Sequence, residues 1–180
     1  CIQALCPELE VGMKVADIKR TATAIFDAWR KHVFLDPDCH LVLEALQRHK
    51  ILGLISNFDH PPYVHALVSE LGLEEFFATV VVSGEVGIKK PDPRIFHLAL
   101  QRTGLQPEEV VYVGDTEEDI TGSLSAGLVP ILIQRDRFKM VLHSDDFRTD
   151  YQSTQTQPNA KNMTGIRTIS SLPELIDLLE

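Results

Sequence analysis

Positive charge is in short supply: 17 lysines and arginines stand against 26 aspartates and glutamates, a formal net charge of −9. That balance argues against a nucleic-acid backbone or an anionic membrane as the main partner. An anionic small molecule stays open, because one metal ion reverses the field around it. Cysteine is sparse too. Cys1, Cys6 and Cys39 are odd in number, lack close metal-ligand spacing, and read as incidental thiols of a reducing compartment. No apolar run approaches membrane length and no signal peptide is visible, so a cytoplasmic protein is expected. The chain opens on Cys1 rather than Met, so an upstream segment of the gene product is expected. What remains is ordinary for a folded protein: 44% hydrophobic and 24% charged over 180 residues. One domain, or one with a small appendage, accommodates that composition.

The most informative stretch is Val110–Gly127, VVYVGDTEEDITGSLSAG. A short apolar run enters Gly114 and turns acidic at Asp115, which reads as a buried strand opening on a polar site. Ile120, Leu124 and Gly127 follow at helical spacing, so a helix is expected to begin near Thr116. Asp115 then sits at the strand tip and Asp119 about one turn into the helix. Two carboxylates so placed can share a hard cation.

The flanking chain supplies further units. Residues 1–31 read as helical, with Ile25, Phe26 and Trp29 near one face. Asp36-Pro37 starts a helix carrying Val42, Leu43 and Leu46. Ile51–Ile55 is a strand ending at Ser56-Asn57, and Pro61-Pro62 opens a helix that Gly72 stops. Thr79–Val82 is a second strand, followed by a loop over Ser83–Pro93 and a helix over Arg94–Arg102. Asp92 suits that helix as a cap. Val110–Val113 and Pro130–Gln134 are further strands. Residues 139–165 break the pattern, and their polar part, Asp150–Gly165, is read as a mobile loop. Order returns in Ile166–Ile169 and a closing helix over Leu172–Leu179, capped by Ser170 or Ser171 with Glu174 in its first turn. This alternation predicts an α/β fold: a Rossmann-like, mostly parallel sheet with helices on both faces. Its ligand site lies beyond the C-terminal ends of the strands.

Four features converge there: Ser56 with Asn57, Lys90 before Pro91, Asp115, and Asp119. A hydroxyl, an ammonium and two acids form a poor nucleophile set but a good holder for a phosphoryl group and Mg²⁺. Glu118 is read as solvated or near the metal. Asp59, His60 and Tyr63 stand where a leaving group could reach, although His60 has no visible orienting partner.

SNFD at 56–59, GIKKPDPRIF at 87–96 and GDTEEDITGSLSAG at 114–127 resemble the second, third and fourth motifs of the haloacid dehalogenase-like hydrolase superfamily. The resemblance covers about residues 20–136 and 166–180. It implies that Ser56 contacts phosphate, with Asn57 beside it, that Lys90 is the motif lysine, and that Asp115 and Asp119 serve the metal. Residues 1–31 resemble the closing part of a helical cap, leaving 32–180 as the α/β core. In a cap, the Phe26–Trp29 face would shield the reaction from water.

The first motif of the superfamily is missing. It is an aspartate nucleophile with a second aspartate two residues on, at the tip of a first, central strand. The nucleophile carries the phosphoryl group as an aspartyl-phosphate. Asp36-Pro37-Asp38 has the letters but follows too short a lead and precedes a helix, and Asp17 lies in a helical context. Without that strand, the strands ending at Ser56 and near Asp115 must pair with each other, pair with another chain, or leave backbone groups unsatisfied. The expected parent is a Mg²⁺-dependent phosphomonoester hydrolase acting on a phosphorylated small molecule. Its homodimer or a partner chain would cover the missing strand. A silent binding or regulatory module and a 2-haloacid dehalogenase are the alternatives.

Overall fold

Short β-branched runs between helical stretches form parallel strands here, and the helices between them make the crossovers. The computed structural model describes residues 15–135 and 165–179. The chain divides into two compact units, Cys1–Asp36 and Pro37–Glu180. The first unit contributes helix α1 (Val15–Arg30), whose Ile25 and Trp29 are about half exposed. Asp17 in α1 pairs with Arg20.

The second unit runs α2 (Cys39–Gln47), β1 (Leu52–Ser56), α3 (Pro61–Glu70), β2 (Phe77–Val82) and α4 (Ser83–Val86). It continues with α5 (Pro93–Thr103), β3 (Val111–Gly114), α6 (Glu117–Ser125), β4 (Val129–Ile133), β5 (Arg167–Ile169) and α7 (Glu174–Leu179). Single 3₁₀ turns, Glu74–Phe76 and Pro107–Glu109, lead into β2 and β3. Strand and helix order follows the sequence expectation closely. One difference is α4, a single helical turn inside the expected loop, closed by Gly87 at φ +68°. Gly72 stops α3 at φ +65°, a left-handed conformation that glycine adopts without a Cβ penalty. The polar stretch 139–164 lies outside the described residues.

Among the described residues every strand pair is parallel, but the strands form two sheets rather than one. β1 pairs with β2, placing Ser56 opposite Val82, and β4 lies between β3 and β5. β1 and β3 do not pair with each other, which decides one of the three outcomes left open by the sequence. The two sheets are joined through side chains. On one face, Val42 and Leu46 of α2 and Leu175 of α7 pack with Ile131, Ile133 and Ile169, against Leu52, Val111 and Val113. On the other, Ile95, Phe96 and Leu100 of α5 pack with Val81, Ala126 and Leu128, against Ile55 and Tyr112. Both cores draw on β1 and β3, so apolar burial holds together what backbone hydrogen bonds do not.

Before the closing helix, Glu174 turns back onto the two serines expected to cap it. The backbone N–H and hydroxyl of Ser170 and of Ser171 all donate to Glu174 Oε1, holding that carboxyl below its ordinary range. In α6 the expected apolar face is only partly right. Ile120 and Ser123 are fully buried while Leu124 is 45% exposed. Ile120→Ala is therefore expected to cost about 2–5 kcal/mol in urea denaturation. Leu124→Ala should cost less than about 1 kcal/mol; equal losses would mean that α6 is rotated on its axis.

Candidate functional site

The tips of β1 and β3 deliver the polar residues, and the turn between α4 and α5 delivers Lys90. Lys90 donates from Nζ to Asp119 Oδ1 at 2.6 Å and to Tyr112 Oη at 3.2 Å, and its ammonium lies 5.9 Å from the Tyr112 ring centre. The pair is well shielded, with the Lys90 and Asp119 side chains 12% and 5% exposed. Phe96 packs edge-on against Tyr112 at 4.9 Å, fixing the ring that carries the hydroxyl.

Asp119 is held from every side. Tyr112 Oη donates to its Oδ1 at 3.0 Å. Its Oδ2 accepts from the Asp115 N–H at 3.3 Å, the Thr116 N–H at 3.2 Å and Thr116 Oγ1 at 2.7 Å. Thr116 in turn accepts from the Asp119 N–H, completing a capping box at the start of α6 with aspartate in place of the usual glutamate. The shorter side chain must fold back onto the strand tip. Gly114 leaves room for that: a Cβ there would lie 2.3 Å from Asp119 Cβ. Gly122 does the same one turn later, where a Cβ would meet Phe96 and the Pro91 carbonyl at 2.7 and 2.8 Å.

Burial pushes the Asp119 carboxyl up, but the Lys90 charge, with hydrogen bonds from Lys90, Thr116 and Tyr112, outweighs it and leaves the group below its ordinary value. Tyr112 moves the other way. Burial, then the Asp119 charge and hydrogen bond, then the Asp115 charge, raise its phenol and keep it neutral.

The remaining predicted residues divide into two groups. Ser56 ends β1 and Asp115 follows β3, and among the described residues neither the Ser56 hydroxyl nor the exposed Asp115 carboxylate has a hydrogen-bond partner. Asn57 is turned onto the Lys90 peptide unit, with Oδ1 accepting from the Lys90 N–H at 2.8 Å and Nδ2 donating to the Lys90 carbonyl at 3.0 Å. Its Nδ2 also donates to Glu118 Oε2 at 3.2 Å. The other group serves helix ends. His60 Nδ1 accepts from the Tyr63 N–H at the start of α3, and Phe58 stacks on Tyr63 at 5.6 Å. Asp92 caps α5 through the Arg94 N–H, and its side-chain bonds to Arg94 hold its carboxyl at about 2. Asp38 occupies the position before α2, without a side-chain hydrogen bond to the helix end, and Asp36 precedes it, so neither stands at a strand tip.

Tyr112 escaped the sequence reading because it passes for one more apolar residue of a buried strand. The signal was present: period-two alternation puts Tyr112 on the face opposite Val111 and Val113. Among the described residues no group of three or more His, Cys, Asp or Glu side chains could hold a metal ion. A closed structural zinc site is therefore not present among them. The free Asp115 carboxylate suits Mg²⁺, which is commonly held by one or two carboxylates, several waters and phosphate oxygens.

A profile of the haloacid dehalogenase-like hydrolases matches residues 8–127. The chain belongs to this family. Curated relatives include a glyceraldehyde 3-phosphate phosphatase of Methanopyrus kandleri, 44% identical over 84 residues, covering 46% of this chain and 36% of that protein. A phosphoserine phosphatase of Thermus thermophilus is 34% identical over 127 residues, covering 70% and 51%. The chain thus spans about a third to a half of the length of these relatives. The same fold occurs in a HAD phosphatase of Thermococcus onnurineus, at TM-score 0.66 and 22% identity over 98% of this chain and 69% of that one. It occurs also in a 2-haloacid dehalogenase of Pseudomonas syringae, at TM-score 0.62 and 26% identity over 93% and 64%. The Rossmann-like expectation therefore holds, with the sheet in two parts.

Asp119→Asn leaves the Lys90 charge shielded and without its partner, which is expected to cost about 3 kcal/mol at pH 7 in urea denaturation. Because the folded carboxyl titrates below its ordinary value of 3.8, its contribution is present above that value and fades as pH falls towards the folded one. The variant should accordingly lose less stability than the parent chain between neutral pH and about pH 3. Parallel pH profiles would show that Asp119 is not held as its hydrogen bonds indicate.

Proposed function

We propose that this chain is the core of a Mg²⁺-dependent phosphomonoester hydrolase. The observation that carries the reading is the shielded Lys90–Asp119 pair, standing with the unpartnered Ser56 hydroxyl and Asp115 carboxylate at the ends of β1 and β3. Lysine has three N–H donors and two are engaged, so one is left for a phosphoryl oxygen or for the attacking carboxylate. Ser56 would donate to a second phosphoryl oxygen. Asp115 would hold Mg²⁺ with water completing the shell. Asp119 already accepts five hydrogen bonds and would serve the ion only through water or by shaping the Asp115 turn. When bound, Mg²⁺ supplies Lewis-acid polarisation of the transferred group. The free acid favours this reading over a 2-haloacid dehalogenase, whose chemistry needs no metal.

The attacking aspartate and its acid–base partner are not found at a strand tip among the described residues. They would come from a strand of the parent protein, or of a second copy or partner chain, lying against the unpaired edges of β1 and β3. The substrate class is a small phosphorylated metabolite of the cytoplasm, in line with the phosphoserine, glyceraldehyde 3-phosphate and phosphoglycolate named for the relatives. Nucleic acid and membrane are not expected partners at a net charge of −9. One observation favours a second reading, a silent binding or regulatory module: the strand-tip aspartate pair is lacking among the described residues.

Two measurements test this. In the 180-residue chain, Mn²⁺ used as a paramagnetic Mg²⁺ substitute should broaden the amide signals of Gly114, Asp115 and Thr116, and Asp115→Asn should abolish the effect. A parent polypeptide supplying a DxD strand should release phosphate from an aryl phosphate with Mg²⁺, be inhibited by fluoride and stop in EDTA. Full activity in EDTA would sink the metal assignment, and binding without turnover would establish the silent module.

A further inference from the structure

Asn57 directly follows Ser56 at the tip of β1, a position that by itself suggests a ligand contact. Its hydrogen bonds point elsewhere. A primary amide has one acceptor oxygen and two N–H donors. Here the oxygen takes the Lys90 N–H, and the nitrogen serves both the Lys90 carbonyl and Glu118 Oε2. Rotating the amide by half a turn would set oxygen against two acceptors and nitrogen against a donor, so the network fixes its orientation. No side-chain donor of Asn57 is left for a phosphoryl oxygen.

We infer that Asn57 is a positioning residue: by clamping the Lys90 peptide unit on both its N–H and its carbonyl, it aims the Lys90 ammonium at Asp119 and the site. One of the three bonds, the one to Glu118, also crosses between the two sheets. Asn57 belongs to the β1 tip, Lys90 follows β2 and α4, and Glu118 lies in the first turn of the helix after β3. Backbone pairing does not join β1 to β3, so this side-chain bond joins the strand tips at the end where Lys90 must be held. Released from the clamp, the Lys90 turn would move independently of Asp119, and its ammonium would reach solvent like that of its exposed neighbour Lys89.

The inference rests on the proposed role of Lys90, but its test needs neither metal nor phosphate. The intact chain is labelled with limiting acetic anhydride well below its melting temperature, and acetylation of Lys90 is compared by mass spectrometry with that of Lys89 in the same molecules. Lys90 should label much less than Lys89 in the parent chain. In Asn57→Ala, the Lys90 to Lys89 ratio should rise about fivefold or more, the factor corresponding to one net hydrogen bond. Asn57→Asp keeps the acceptor but sets a carboxylate against Glu118 and the Lys90 carbonyl, so the ratio should rise there too. Adding Glu118→Gln to that variant restores a donor on the other side and should bring the ratio part of the way back.

A purely structural Asn57 would lower the melting temperature and leave the native-state ratio unchanged in both single variants. That result would overturn the inference, as would failure of Glu118→Gln to rescue Asn57→Asp. Failure of the chain to bind Mn²⁺ would count against the proposed function alone, since the labelling ratio is independent of the ion.

Discussion

The shielded ion pair between Lys90 and Asp119 is the constraint on which the arrangement of the strand tips depends. Two opposite charges withdrawn from water are costly unless their remaining donors and acceptors are satisfied. Asp119 meets that condition with hydrogen bonds from Tyr112, from Thr116 and from two backbone N–H groups, in addition to Lys90. Each of those partners fixes a different piece of chain. Tyr112 belongs to β3, Thr116 starts α6, and Lys90 belongs to the turn before α5. A single carboxylate therefore ties the β3–α6 junction to the turn that carries Lys90, two segments that sheet pairing leaves unconnected.

Packing reinforces the same junction. Two apolar cores span both sheets, and α5 and α6 lie against each other over the face that contains Phe96. Helix α6 approaches the Lys90–Pro91 turn closely enough that Gly122 has no room for a side chain, and Gly114 is similarly covered by Asp119. These contacts account physically for two glycines in GDTEEDITGSLSAG. The first lets an acid fold back onto its own strand, and the second lets a helix press against the turn that carries the lysine.

Much of the fold was legible in the sequence because its elements are short, periodic and punctuated. Pro61-Pro62, Gly72, Asp92-Pro93 and Gly104 mark helix ends that the structure places within a residue or two of expectation. The convergence of Lys90 and Asp119 was also legible, through their positions after successive strands. Their direct contact was not, since spacing cannot say whether two acids share an ion or one of them holds a lysine. The T-x-x-D spacing of Thr116 and Asp119 carried that information as a capping box. The partners of the Asn57 side chain were not legible for a related reason: a strand-tip amide can face a ligand or its own chain, and the partner found here, Lys90, lies 33 residues away in sequence. Leu124 could not be separated from Ile120 by periodicity, because Ser123 takes the buried position that the apolar residue was expected to fill.

The electrostatics bear on why an ion belongs in the proposed mechanism. Lys90 and Asp119 together are close to neutral, so the lysine brings direction, through one remaining N–H, more than net attraction for an anion. The end of β3 and the first turn of α6 also carry Asp115, Glu117 and Glu118, on a chain whose net charge is −9. A phosphate entering that field meets repulsion that one hydroxyl and one N–H do not offset. In the proposed mechanism a divalent cation on Asp115 would reverse the local sign and turn the acids from an obstacle into the reason that the ion stays. In the proposed mechanism the acidic strand tip and the paired lysine are therefore complementary: one would recruit charge, and the other would orient the phosphoryl group once that charge is present.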